Sequence, residues 1–172
     1  MLKGQNIGLR AIEKEDLEQL LAWRNKPEFR LYFRENKELS MANQLAWYEK
    51  LVLKDPNTNM FAIVELETNR LLGACGLCYI DWTNKLADFS IYIGADNLYI
   101  DDKFAVDTAK TLINYAFNEL NLHKVWAEIY NFDIAKKELF EKLDFKLEGH
   151  HKETYWLNNK WNDSLFWGLI NK

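Results

Sequence analysis

Residues 91–145 read IYIGADNLYIDDKFAVDTAKTLINYAFNELNLHKVWAEIYNFDIAKKELFEKLDF, and the order of signals within them decides the fold. The stretch predicts a strand ending near Gly94, an acidic turn, and a long amphipathic helix from about Phe104 to Leu120. Phe104, Thr108, Leu112, Tyr115 and Leu120 fall near one side of that helix, and its end is marked by Asn118 to Asn121. A strand over Lys124–Tyr130 follows, and Asp133 is a good N-cap for a helix running to Leu143. A helix that begins just after a strand offers unpaired N–H groups and a positive dipole end. That geometry suits a phosphate-bearing ligand.

Working outward, Asn6–Ile12 alternates as a strand. Glu13-Lys14-Glu15-Asp16 then opens a helix carrying Leu17, Leu20, Leu21 and Trp23. Ser40 is the N-cap of a second helix holding Leu45, Trp47, Tyr48 and Leu51. Strands are predicted over Met60–Glu65, Leu71–Ile80 and Leu86–Gly94, joined by connections short enough to make them antiparallel neighbours. Phe145–Leu157 and Trp161–Ile170 close the chain as an antiparallel pair around Asn158-Asn159. The order β-α-α-β-β-β-α-β-α-β-β describes an α+β protein with a mixed central sheet flanked by helices. Two prolines and seven glycines mark no internal boundary, so residues 1–172 are read as a single domain.

Composition narrows the function classes. A net charge of −4 without a basic run gives no electrostatic footing for nucleic acid. No apolar run is long enough to span a bilayer and no signal peptide is evident, so a cytoplasmic location without membrane partners is the default expectation. Cys75 and Cys78 form a CxxC in a predicted strand, where positions three apart face opposite ways. With no second cysteine pair and no histidine at ligand spacing, both read as packing residues and no metal is expected. His123 reads as a partner of a helix C-terminus or a packed ring, and His150 and His151 read as structural. Aromatic residues make up 15% of the chain. They can build a core, line a pocket or cover a homodimer interface.

Several stretches resemble the GCN5-related N-acetyltransferase (GNAT) superfamily. Leu20-Leu21-Ala22-Trp23-Arg24-Asn25 and Gln44-Leu45-Ala46-Trp47-Tyr48 are similar to the first helices of enzymes that acetylate amino sugars on nucleotide carriers. Leu72–Leu77, Ala87–Gly94, Tyr115-Ala116-Phe117, Leu120–Val125 and Leu139–Phe145 resemble later words of the family, in the family's order. Ribosomal-protein N-terminal acetyltransferases share several of them. The resemblance implies transfer of an acetyl group from acetyl-CoA to a primary amine of a small molecule, with no metal. It also implies site residues. The backbone of Ile91, Tyr92 and Ile93 would bind the pantetheine arm. Lys103, Phe104, Ala105 and Val106 would face the diphosphate, and Asp133 and Phe140 would lie along the coenzyme. Asp88 matches an acidic position that takes the amine proton. Arg24, whose guanidinium can clamp a phosphate or carboxylate, and Trp47 would contact the acceptor. Trp23 and Trp82 could line the same site, with core packing the alternative for Trp23 and Trp47.

The chain also departs from the family pattern. The diphosphate loop usually reads Q/R-x-x-G-x-G/A, whereas Ile100-Asp101-Asp102-Lys103-Phe104-Ala105 keeps only Ala105. Asp101 or Asp102 is expected to cap the helix and compete with a diphosphate, an effect Lys103 can offset. Asp133 stands where Asn is usual, Asp144 where Gly is common, and Phe140 where many members carry the Tyr that protonates the departing thiolate. These departures leave two further readings open: a non-catalytic binding module, and an acetyltransferase acting on protein N-termini.

Overall fold

The computed structural model describes residues 1–172. Eight strands form one sheet: β1 (Leu2–Lys3), β2 (Ile7–Ala11), β3 (Asn59–Glu65), β4 (Leu71–Asp81), β5 (Leu86–Ile93), β6 (Lys124–Tyr130), β7 (Lys146–Leu157) and β8 (Lys160–Ile170). They lie in the order β1-β2-β3-β4-β5-β6-β8-β7. The α-helices are α1 (Leu17–Arg24), α2 (Pro27–Arg30), α3 (Met41–Trp47), α4 (Phe104–Asn114) and α5 (Ile134–Lys142). The expected order holds, with β1 and α2 as additions. Both are too short to show a period in the sequence.

Every neighbouring pair is antiparallel except β5–β6. Two parallel strands need a crossover, and α4 supplies it. The α-helix ends at Asn114 rather than Leu120, because the last turn widens. The Leu120 N–H donates to the Tyr115 carbonyl at 3.1 Å and the Leu122 N–H to the Ala116 carbonyl at 2.9 Å, with Asn121 at φ 54°. A left-handed residue past a helix end is where Asn is tolerated best after Gly.

Helix α5 stops in a Schellman turn. The Phe145 N–H reaches back to the Phe140 carbonyl at 3.0 Å, the Asp144 N–H reaches the Glu141 carbonyl at 3.2 Å, and Asp144 sits at φ 64°. The two phenylalanine rings stack across this turn at 4.8 Å. At the far end of the sheet, Asn158 and Asn159 take φ of 53° and 59° in a two-residue hairpin between Leu157 and Lys160. That turn needs left-handed residues at both positions.

Asp107, in the first turn of α4, pins the N-terminal segment. Its carboxylate accepts N–H groups from Gln5 at 3.0 Å, Asn6 at 2.7 Å and Ile7 at 3.2 Å. Gly4 permits this approach, since a Cβ there would lie 2.5 Å from an Asp107 carboxylate oxygen.

Candidate active site

The site begins where two strands part. Pairing between β5 and β6 ends at Asp88 opposite Trp126; beyond it β5 continues on β4 while β6 continues on β8. The Gly94 N–H points to β4, donating to the Leu72 carbonyl at 2.8 Å. The Ile93 N–H points the other way, to the Tyr99 carbonyl at 2.8 Å. Alternation therefore turns the backbone of Ile91 to the same open side as Ile93. Ile91 and Ile93 are buried, so main-chain groups rather than side chains are what this edge offers. One of these, the Ile93 N–H, is already taken.

A cavity of about 340 Å³ lies against this opening. Asp88, Ser90 and Tyr92 reach it from alternate positions of β5. Arg24, Phe33, Arg34, Gln44 and Trp47 close it from the α1–α3 region, and Glu128 and Lys136 enter from β6 and α5. The structure thus brings the expected Asp88, Arg24, Trp47 and Tyr92 to one place. Trp23 packs instead on Gly94, where any Cβ would strike its indole ring at 2.0 Å. Trp82 is exposed and does not line the cavity.

Asp88 is buried and raised to about 6. Burial drives the rise, and the Arg34 guanidinium opposes it from 3.1 Å. A carboxylate at that value is ionised at neutral pH yet basic enough to take a proton. Arg34 also reaches Glu128, with its Nε 3.3 Å from Oε2, and the other Glu128 oxygen accepts the Ser164 hydroxyl at 2.7 Å. Burial pulls the Arg34 guanidinium down, but its two carboxylate partners raise it overall. Arg34, Glu128 and Lys136 were not singled out from the sequence. They lie 54, 40 and 48 positions from Asp88, a separation no local period reports. The one available hint was the alternation of Lys124, Trp126 and Glu128 on the less buried face of β6.

Arg24 makes no ion pair. Its guanidinium lies 4.1 Å from the Phe33 ring centroid, and its buried Nε has no partner. A cation–π contact holds the group without consuming its in-plane donors. Asp133 is 2% exposed and faces inward. It caps α5 through the Lys136 N–H at 3.1 Å and accepts the Tyr99 hydroxyl at 3.1 Å; burial pushes it up. Tyr99 stacks on Tyr32 at 4.3 Å. Phe140 is buried among Phe89, Phe145 and Trp167, so it presents no group to the cavity and carries no ionisable proton.

At the start of α4 the Asp101 carboxylate accepts three N–H groups: Lys103 at 3.0 Å, Phe104 at 2.7 Å and Ala105 at 2.7 Å. Phe104 and Ala105 are buried, and Val106 packs partly against the core, so this end contributes backbone groups. Lys103 turns to Glu65 at 3.9 Å and lies over the Phe104 ring. The acidic cap foreseen from the sequence is therefore present. It also acts as a stand-in anion, because it demonstrates that these amides converge on one negatively charged group.

The remaining candidates behave structurally. Cys75 and Cys78 are free thiols; burial pushes Cys75 far up and Cys78 to about 12. His150 sits 2.6 Å from Asp163 and His151 packs on the Phe166 ring, both on the outer strand pair. No group of three or more His, Cys, Asp or Glu residues forms a metal cluster. No helix is long and apolar enough to cross a membrane.

The spermidine N(1)-acetyltransferase of Vibrio cholerae is 28% identical over 161 residues, covering 91% of this chain and 88% of its own. The Escherichia coli K12 enzyme of the same name is 24% identical over 165 residues, covering 96% and 86%. The crystal structure of the Vibrio cholerae spermidine N-acetyltransferase with CoA and spermine superposes with a TM-score of 0.87 at 25% identity, over 96% of this chain and 95% of that one. These relatives are named for small amines. The nucleotide-linked amino sugar suggested by the opening helices, and the protein N-terminus kept as an alternative, find no support in them. An acetyltransferase (GNAT) domain profile matches residues 6–146, and the chain belongs to that family of acetyl-CoA-dependent N-acetyltransferases.

Proposed function

We propose that this protein acetylates a primary amine of a small molecule of the polyamine type, with Asp88 as the base. The observation that carries the reading is the placement of Asp88: a buried carboxylate, raised to about 6, in a cavity that abuts the open edge of β5. Aminolysis of a thioester needs the amine neutral and held against the carbonyl carbon. An ammonium entering the cavity gives its proton to Asp88, directly or through water, and the uncharged nitrogen attacks. The Ile91 N–H on the open edge suits the role of donor to the carbonyl oxygen as charge builds there.

Glu35, Asp55, Asp88 and Glu128 line the cavity along with the aromatic faces of Tyr32, Phe33 and Trp47, a lining that suits an alkylammonium chain. Arg34 covers part of Asp88 and is about half exposed, so an incoming ammonium can displace it toward Glu128. The names of the relatives support the same acceptor class. The test is acetyl-CoA-dependent thiol release with spermidine and spermine beside a monoamine and an amino sugar. Faster release with the polyamines is expected. Equal or slower release than with the amino sugar would reject the acceptor class, and no release with any amine would reject the activity.

A further inference from the structure

One primary amine in the cavity belongs to the chain itself. Lys136 stands in the first turn of α5 and lines the cavity together with Asp88 and Tyr92. Its ammonium has no carboxylate within ion-pairing distance and lies 5.3 Å from the Tyr99 ring centroid. Burial lowers its pKa; Asp133 and Asp88 resist that fall, and the neighbouring Arg34 and Arg24 add to it. Lys136 and Asp88 line the same cavity from α5 and β5. A lysine that is desolvated, unpaired and beside a base has what an acceptor amine requires. Exposed lysines such as Lys50 and Lys54 keep a solvated ammonium and lack it.

We propose that Lys136 Nζ is itself an acetyl acceptor of this site, modified when acetyl-CoA is bound and no external amine fills the cavity. The proposal rests on the acetyl-transfer reading given above. The Lys136 ammonium first releases a proton through water to solvent, the freed Nζ lone pair attacks the thioester carbonyl carbon, the new C–N bond forms and the C–S bond breaks. The sulfur leaves with its electron pair as the thiolate. The surplus proton on nitrogen passes to Asp88 and from there to the thiolate or solvent. The product is a neutral amide on Lys136 and free CoA, with no oxidant or reductant consumed.

The full chain is incubated with acetyl-CoA alone, and its intact mass and peptide map are followed with time. The expected result is one acetyl group per chain, on Lys136, formed more slowly when spermidine is present. In Asp88→Asn the modification should slow by roughly 100-fold, the low end of what a general base contributes. Lys136→Arg, checked for an unchanged melting transition, should gain no acetyl group. Thiol release with spermidine but no acetyl on Lys136 would overturn the proposal and leave the acetyltransferase reading standing. Label appearing on Lys50 and Lys54 as fast as on Lys136 would also overturn it, as uncatalysed chemistry. Neither label nor thiol release would overturn both.

Discussion

As the proposed base, Asp88 yields two opposed expectations from its environment. Removing the base in Asp88→Asn should lower kcat/KM by roughly 10²–10⁴-fold. In the wild type, kcat/KM should fall about tenfold per pH unit below about 6, where Asp88 becomes protonated. Stability should move the other way. Raising a carboxylate from 3.8 to about 6 disfavours its ionised form in the folded state by about 3 kcal/mol. The group's stabilising contribution is complete below its unfolded pKa and is lost as pH rises through about 6. Asp88→Asn should therefore be far less active yet more stable to urea than the wild type at pH 7, with the gap closing toward pH 4. A wild type that is more stable than the variant at pH 7 would show that Arg34 contributes more than burial costs. Asp88 was singled out from the sequence through its place in the strand word, but its partner Arg34 was not. Arg34 lies in a segment between α2 and α3 that carries no periodic signal, and only folding brings it to 3.1 Å.

At the scale of elements, the N-terminus of α4 and the C-terminus of α5 each hold an acid, Asp101 at an unspecified position of the diphosphate loop and Asp144 where Gly is common. The two acids have different consequences. Asp101 satisfies three orphan amides with both carboxylate oxygens, Lys103 and Phe104 on one and Ala105 on the other. Asp101→Asn keeps one acceptor oxygen and loses the other, so it should lower the melting temperature slightly while removing a negative charge from the end of the helix proposed for the coenzyme. Acetyl-CoA should then bind roughly 2–5-fold more tightly by calorimetry, the equivalent of about 0.3–1 kcal/mol at a helix terminus. Looser binding would mean that the carboxylate orders the turn more than it obstructs it. Asp144 costs backbone strain instead. Its φ of 64° is the conformation that glycine adopts freely, so Asp144→Gly should stabilise the protein by about 0.5–1 kcal/mol in chemical denaturation. Unchanged stability would mean that the entropy glycine adds to the unfolded chain cancels the strain relieved. Both helix ends were legible in sequence because caps are local devices. The early end of α4 was not, since the apolar stripe continues through a widened turn whose carbonyl partners the pattern does not reveal.

At the scale of the molecule, the function depends on a sheet that parts along one seam. The crossover through α4 makes β5 and β6 the single parallel pair, and their divergence after Asp88 leaves main-chain groups and a cavity, where the proposed reading brings coenzyme and amine together. Acetyl-CoA at about 100 times its Kd should stabilise the native state by about 2.7 kcal/mol. For a domain of this size that is a rise of roughly 5–10 °C in Tm. A thermal scan without a shift at millimolar acetyl-CoA would mean that the Asp101 cap does not yield. The order of elements along the chain, the helices, the hairpin at Asn158-Asn159 and the acidic turn could all be read from residues in a row, because periodicity, capping and turn chemistry act over a few positions. What folding alone decided was the meeting of distant groups. Arg34 was set against Asp88 and Glu128, Lys136 was brought into the cavity, Tyr99 was joined to Asp133, and Trp23 was spent on Gly94. Such contacts follow from the path of the whole chain, and burial then sets the proton affinities that no residue shows by its identity.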